Sequence, residues 1–151
     1  MDDDTEIDID LAGPAYAFTL AALHGESAPD PWNGSAFAAL LSQPGVLALL
    51  ARQGGEPLGF ILIRLAADEG EILHFAVRPA HRRRHLGQAL LDQALRILIS
   101  RGASRLFLEV EETNQAAQGL YSQAGFEKAG FRADYYGPGR PALVLAKNLE
   151  A

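Results

Sequence analysis

The spacing of apolar residues changes along the chain, and each change predicts a new element. Over Arg105–Glu111, leucine and valine side chains alternate with Phe107 and Glu109. A period of two is typical of a strand that buries one face. Two apolar runs, Val46–Arg52 and Leu58–Ala67, flank a glycine-rich turn and predict a β-hairpin.

Helical spacing is clearest directly after a run of three arginines. There a broad apolar stripe is formed by Leu86, Ala89, Leu90, Ala94, Ile97 and Leu98. Gly102 stands where a helix C-terminal cap is expected. Asn33 and Asn114 are predicted N-caps of two shorter helices, and Pro14 is predicted to open a further helical run that continues through Leu23.

The remaining strands complete an α/β pattern that is rich in strands at its centre. Short strands are predicted over Glu6–Leu11 and Ile72–Val77, and Asp68-Glu69-Gly70 is predicted as a turn. A last hairpin pairs Phe126–Tyr136 with Pro141–Leu149. A length of 151 residues suits one domain, so we expect a single domain over 1–151.

Composition excludes several kinds of site. The chain has no cysteine, which removes disulfides, a thiol nucleophile and cysteine zinc ligands. Its net charge of −6 is the wrong sign for a nucleic-acid binder and suits a cationic substrate better. There is no apolar run of membrane-spanning length, and the acidic Asp2-Asp3-Asp4 is unlike a targeting peptide. We therefore expect a cytoplasmic protein that has no membrane or nucleic-acid partner.

The loop before the long helix is a candidate anion site. It contains Arg82, Arg83 and Arg84 and leads into His85-Leu86-Gly87-Gln88-Ala89. The N–H groups of a first helical turn have no acceptor within the helix, so they can bind a phosphate, and arginines add charge-assisted hydrogen bonds. A solvated basic patch is the equal alternative from the loop alone. Zinc at His81 and His85 is excluded because the arginines between them would repel the metal and no third ligand is evident.

Other short motifs accompany this loop, and together with it they resemble the GNAT superfamily of N-acetyltransferases. Within that superfamily the resemblance is to the bacterial enzymes that acetylate the N-terminal alanine of ribosomal proteins. It rests on Phe75-Ala76-Val77-Arg78-Pro79, Arg82–Leu91, Leu108-Glu109-Val110, Thr113-Asn114, Leu120-Tyr121, Gly125-Phe126 and Tyr135-Tyr136, with Pro31-Trp32. It implies a mixed, mostly antiparallel central sheet of about six or seven strands, with helices on both faces.

The resemblance also implies roles for individual residues. Phe75, Ala76 and Val77 would pair with the pantetheine arm of acetyl-coenzyme A, and the amides of Arg83 to Ala89 would hold its pyrophosphate. Asn114 would hydrogen-bond the cosubstrate near that arm. Glu109 would be the general base and Tyr121 the general acid, which also contacts the cosubstrate. Trp32, Tyr135 and Tyr136 are expected at the acceptor site, and no metal is expected.

Each of these side chains also has an ordinary structural interpretation. Glu109 could pair with an arginine, Tyr121 could be a core aromatic residue, and Trp32 could simply pack on the second helix. His74 is a second candidate base, although a lone histidine near a core is usually structural. The neighbouring carboxylates of Glu111 and Glu112 are expected to be solvated ends of their strand.

The sequence departs from the family pattern at two places. His85 stands where the family's loop usually has its first glycine, and Gly139-Arg140 stands near where an acidic pair often precedes the last strand. Three functions therefore stay open: acetylation of a protein N-terminus, such as that of a ribosomal protein; acetylation of a small amine; and coenzyme A binding without turnover. The presence of both Glu109 and Tyr121 argues against the third.

Overall fold

The computed structural model describes residues 6–26, 32–79 and 85–149. Seven strands lie in these ranges: β1 (Ile7–Ala12), β2 (Val46–Gln53), β3 (Glu56–Ala66), β4 (Glu69–Val77), β5 (Arg105–Glu111), β6 (Glu127–Arg132) and β7 (Ala142–Asn148). The described helices are α1 (Ala17–Gly25), α2 (Gly34–Leu41), α3 (Leu86–Ser100) and α4 (Gln115–Gln123).

The strands form one mixed sheet in the order β1-β2-β3-β4-β5-β7-β6. The β4–β5 pair is parallel, whereas β1–β2, β2–β3, β5–β7 and β6–β7 are antiparallel. The predicted class, a mostly antiparallel sheet of six or seven strands combined with helices, is confirmed.

The chain divides into two compact units. Unit 1 is Met1–Arg64 with Leu73–Ala94, and unit 2 is Leu65–Ile72 with Leu95–Ala151. Because the chain divides in this way, the expectation of a single domain stays a prediction.

In unit 1, helices α1 and α2 contribute Leu20, Leu23, Phe37 and Leu40 to a core that also includes buried residues of β2 and β3. Gly59 on β3 has a packing role, since a β-carbon there would lie 2.8 Å from the carbonyl oxygen of Ala76.

Unit 2 contains the antiparallel ladder β5–β7–β6. The predicted alternation on β5 is confirmed: Leu106, Leu108 and Val110 are buried, and the residues between them are only partly buried. Register pairs Glu109 with Val144, and Val144 in turn with Gly130 on β6. Directly opposed residues of neighbouring strands point to the same face of a sheet, so the row of Glu109, Val144 and Gly130 lies on the face opposite the buried leucines.

Two predicted boundaries are wrong, each for a local reason. The turn predicted at Asp68-Glu69-Gly70 lies one residue earlier, because Glu69 and Gly70 already pair with β5 and Ala67 takes the left-handed φ of 55°. Strand β6 ends at Arg132 and not at Tyr136. Asp134 adopts a φ of 55°, and its carboxylate accepts a hydrogen bond from the Gly139 amide at 2.8 Å.

The predicted caps and hairpins are confirmed. The Asn33 side chain accepts a hydrogen bond from the Ala36 amide at 2.8 Å, and that of Asn114 accepts one from the Ala117 amide at 3.1 Å. Gly102 follows α3 with a φ of 90°.

No helix in the described ranges is long and apolar enough to cross a membrane. Within the same residues, no group of three or more His, Cys, Asp or Glu side chains is placed to hold a metal ion.

Candidate active site

Glu109 lies in the middle of β5, and its side chain is only 8% exposed. The Arg132 guanidinium lies 3.6 Å from this carboxylate. Burial raises the pKa of Glu109 above its usual value, the Glu71 carboxylate raises it further, and Arg132 partly lowers it. Glu71 is placed there by the parallel ladder, which pairs it with Phe107, two residues before Glu109. A carboxylate with a raised pKa is a better proton acceptor near neutral pH.

Tyr121 lies on α4 in the same unit and is 5% exposed. Its ring packs against Phe126 with a centroid separation of 5.4 Å, which confirms the packing role considered above. Burial, with Tyr136 nearby, raises the pKa of its hydroxyl well above 10. The hydroxyl therefore keeps its proton at neutral pH and has one to donate. Asn114 begins the same helix; capping engages its amide oxygen, so its amide nitrogen is the group suited to a cosubstrate contact.

The turn after β6 brings Tyr135 and Tyr136 towards Glu109. Their rings meet edge to face at 4.9 Å, and the Glu109 carboxylate contributes to the raised pKa of both hydroxyls. Burial is the largest cause for both hydroxyls, and the pKa of Tyr136 is raised to about 12.

Arg140 fastens this turn to β5. Its guanidinium donates to both carboxylate oxygens of Glu111 at 2.9 Å and to the carbonyl of Tyr136 at 3.2 Å. Glu111 is the partly exposed end of β5, as expected, but the expectation missed its bidentate pair with Arg140, whose hydrogen bonds lower the pKa of its carboxylate. Arg140, noted in the sequence only as a departure from the acidic pattern, has a structural role.

The start of α3 has an unusual backbone. His85 has a φ of 59°, a left-handed conformation that disfavours a β-carbon. Its carbonyl accepts the Ala89 amide at 3.1 Å, so the Ala89 amide is already engaged. The amides of Leu86 and Gly87 belong to the first turn, which has no acceptors within the helix. Arg82, Arg83 and Arg84 lie outside the described residues.

The segment Phe75–Val77 forms the last part of β4 in unit 1. The ladder between β4 and β5 covers Glu69 to Glu71, so Phe75–Val77 lies beyond it. Arg78 follows directly: its amide donates to the Leu58 carbonyl at 2.8 Å, and its guanidinium contacts Glu26 and Glu56 at 3.2 and 3.1 Å. The end of the strand is therefore fixed on its β3 side.

Trp32 and His74 belong to an aromatic cluster in unit 1. The His74 ring lies 4.5 Å from Trp32, 4.9 Å from His24 and 5.2 Å from Phe37. The Trp32 amide donates to Nδ1 of His24 at 3.0 Å. Trp32 nevertheless stays 41% exposed, so it both packs on α2 and presents surface. Burial, together with His24, lowers the pKa of His74 to about 4.

The structure thus brings Glu109, Tyr121, Tyr135 and Tyr136 together in unit 2 and places Trp32 and His74 in unit 1. Sequence reasoning missed His24, Glu71 and Arg132. Strand alternation places Arg132 on the same face as Gly130, but its nearness to Glu109 follows only from the register of β5, β7 and β6, which a single sequence does not reveal.

Comparison with known proteins shows the family to which this chain belongs. The model of the acetyltransferase (GNAT) family matches residues 17–126. The ribosomal protein bS18-alanine N-acetyltransferase of Escherichia coli is 35% identical over 106 residues, which is 70% of this chain and 71% of that protein. The N-alpha-acetyltransferase RimI of Mycobacterium tuberculosis is 36% identical over 111 residues, covering 71% and 68%.

The crystal structure of the Escherichia coli ribosomal-protein-S18-alanine N-acetyltransferase superimposes with a TM-score of 0.89 at 27% identity, over 97% of this chain and 96% of that one. The chain belongs to the GNAT family and is an N-acetyltransferase. The predicted family and enzyme class are therefore confirmed. Members of this family use acetyl-coenzyme A.

Proposed function

We propose that this enzyme transfers the acetyl group of acetyl-coenzyme A to the N-terminal α-amine of a protein, and that its acceptor is a ribosomal protein that begins with alanine. The observation that carries the chemistry is the buried Glu109 carboxylate, whose raised pKa suits a general base. The printed names of the Escherichia coli and Mycobacterium tuberculosis relatives support the choice of an α-amine, and the former also supports ribosomal protein bS18.

The proposed donor site joins the end of β4 with the start of α3. Phe75–Val77, the segment for which the resemblance implies pairing with the pantetheine arm, lies beyond the β4–β5 ladder. The amides of Leu86 and Gly87, together with the arginines before them, would hold the pyrophosphate. The left-handed His85 supports this choice, because the backbone has the shape for which the family's loop uses glycine. Bound there, acetyl-coenzyme A supplies an activated acetyl group and a thiolate leaving group.

The proposed chemistry on the acceptor is proton transfer by two side chains. An α-amine has a pKa of about 8, so at pH 7 its neutral form costs only about 1 kcal/mol, whereas a lysine, with a pKa of about 10.4, costs about 4 to 5 kcal/mol. Glu109 takes the proton of the ammonium, directly or through a water, so that the lone pair can attack. As the new C–N bond forms and the C–S bond breaks, Tyr121 gives its hydroxyl proton to the departing thiolate. The second proton that the amine nitrogen loses passes to the Tyr121 oxygen, directly or through a water, so that the products are the amide, the free thiol and neutral Tyr121. A single carboxylate base suits the less demanding α-amine.

The acceptor is tested with two matched peptides. One has a free N-terminal alanine, and the other has that terminus blocked and contains an internal lysine. Mass spectrometry should find the acetyl group on the free α-amine and little on the lysine. Preferential lysine modification, or activity on small amines only, would contradict the acceptor and leave the N-acetyltransferase class intact.

Charge gives a second test of the acceptor. The chain carries a net charge of −6, so a basic ribosomal protein should associate faster at low salt. Stopped-flow measurements of association at rising ionic strength should show this acceleration disappear. A salt-independent association rate would argue against a basic acceptor.

A further inference from the structure

Arg132 reaches Glu109 across the intervening strand β7. On β7, Val144 lies opposite Glu109 of β5, and Ala142, two residues before Val144, lies opposite Arg132 of β6. Both side chains therefore stand on one face of the sheet. Gly130, in the row of Glu109, carries no side chain that could fill the space between them. The result is a separation of 3.6 Å between Arg132 Nη2 and Glu109 Oε2.

A second arginine in this unit is already engaged with a different carboxylate. Glu111 lies directly across Ala142 from Arg132, yet it is held bidentately by Arg140. Arg132 is instead directed to Glu109, and its guanidinium also lies over the Tyr135 ring at 5.4 Å. The Tyr135 ring therefore stabilises the position of the guanidinium by a cation–π contact, in addition to the ion pair with Glu109.

The other titratable groups near Glu109 come from two elements. Glu71 lies on β4, and Tyr135 and Tyr136 lie on the turn after β6. Neutral tyrosines contribute no net charge. Glu71 and Arg132 therefore act on the Glu109 carboxylate with opposite signs, Glu71 favouring its protonated form and Arg132 its ionised form.

We propose that Arg132 is a positioning residue of the acetyl-transfer reaction, whose guanidinium holds the Glu109 carboxylate ionised and oriented to receive the proton of the acceptor amine, with Glu71 as the opposing charge. The proposal rests on the proposed role of Glu109 as base. One proton passes from the ammonium to Glu109. Arg132 exchanges no proton in this step and acts through its charge and its position beside the Glu109 carboxylate.

The sign of the effect on the pH profile follows from this geometry. A guanidinium beside Glu109 lowers the pKa of that carboxylate and disfavours the charged form of an ammonium brought next to it. Both effects extend activity to lower pH. Removing the charge therefore moves the acidic limb of the kcat profile, which reports the groups of the enzyme–substrate complex, to higher pH, whichever of the two groups controls that limb.

The first test measures this limb in variants. Arg132→Gln should move its midpoint up by about 0.5 to 1 pH unit, a shift reduced by the partial exposure of Arg132. Arg132→Lys should restore most of the shift, and Glu71→Gln should move the midpoint down. Arg105→Gln is the matched control: it removes an arginine from the start of β5 that pairs with Glu69, and it should leave the midpoint in place. A midpoint unmoved by both Arg132→Gln and Glu71→Gln would overturn the proposal.

The second test reads the charge pair without using activity. Carbon-13 NMR of labelled glutamate carboxyl groups follows the titration of Glu109, whose signal is identified by its loss in Glu109→Gln. Arg132→Gln should raise the titration midpoint of this signal and Glu71→Gln should lower it. If it does not move, Arg132 does not act on Glu109. If the NMR midpoint moves but the kinetic limb does not, the positioning role fails together with the role of Glu109 as base.

Discussion

The two units each bury titratable side chains, but in opposite surroundings. In unit 1, the His24 and His74 rings contact each other and pack with Trp32 and Phe37. Burial lowers the pKa of both histidine rings. In unit 2, Glu109 is held among two further charges and a pair of tyrosines. The histidine cluster is a packing arrangement of neutral rings, whereas the carboxylate has an environment that adjusts its charge.

This contrast bears on which of the two candidate bases acts. A base that titrates near pH 4 is a weak proton acceptor, and among the residues that the structure describes both causes acting on His74, burial and His24, lower its pKa. The pKa of Glu109 is raised towards the working pH, and Arg132 favours the ionised form that a base needs. Of the two candidates, physical chemistry favours Glu109.

The largest expected effect comes from separating these two candidates by mutation. Glu109→Gln should reduce kcat/KM by about 10³-fold, and most strongly at mildly acidic pH, where the acceptor is hardest to deprotonate. His74→Gln should stay within about tenfold of the parent. Steady-state kinetics with an alanine-starting peptide measures both. Glu112→Gln, which removes an exposed carboxylate just beyond β5, is the control and should be neutral.

A reversed order, with His74→Gln the more damaging variant, would transfer the base role to unit 1. Full activity in both variants would leave bulk water as the proton acceptor.

The next largest effect concerns the proton donor of unit 2. Tyr121→Phe keeps the ring that packs on Phe126 and removes only the hydroxyl. We expect kcat to fall by about 10²-fold, the lower end for a general acid, because a thiolate leaves readily. The Kd of acetyl-coenzyme A, measured by calorimetry, should change little. Unchanged turnover would return Tyr121 to a purely structural role.

Individual strands and helix starts were largely predictable because local rules specify them, whereas the roles of Glu109 and Tyr121 were predicted from the family resemblance. The alternation around Glu109 fixed both the bounds and the faces of β5, and Asn33 and Asn114 marked two helix starts through their side-chain oxygens. A residue other than glycine that adopts a left-handed backbone conformation, such as Asp134, has no comparably strong sequence signal. The predicted end of β6 was therefore wrong.

Partners from distant parts of the chain were not predictable. The Arg132–Glu109 pair depends on the order β5-β7-β6, which brings residues 23 positions apart in sequence onto one face. Likewise, Arg140 was noted only because it stands near where the family often has an acidic pair. Its contact with Glu111 forms because β7, which follows Arg140, lies beside β5. Register, which a single sequence does not reveal, decides such pairs.

The histidine cluster of unit 1 should make stability depend on pH. An unfolded histidine binds a proton below about pH 6.5, whereas folded His74 does so only near pH 4, so stability that is present above pH 6.5 is lost as the pH falls towards 4. We expect a loss of about 2 to 3 kcal/mol in the free energy of unfolding from this residue. His74→Gln should remove that part of the dependence.

Urea unfolding of the parent and of His74→Gln at pH 8 and pH 5 measures the difference, and the pH 8 values serve as the reference. Equal losses in the two proteins between these pH values would show that the cluster does not carry the effect.

The smallest expected effect is at His85, where the backbone rather than the side chain is informative. His85 has a φ of 59°, so His85→Gly relieves the strain that a β-carbon causes in this conformation. It also raises the conformational entropy of the unfolded chain. These effects nearly cancel, and we expect the free energy of unfolding to change by less than about 1 kcal/mol.

The same variant tests cosubstrate binding. The Kd of acetyl-coenzyme A should stay equal, or fall by up to about threefold, if the loop only needs this backbone shape. His85→Ala is the matched variant, because it keeps the β-carbon but loses the ring and its contact with Gln88 at 3.1 Å. Weaker binding in both variants would show that the ring itself contacts the cosubstrate.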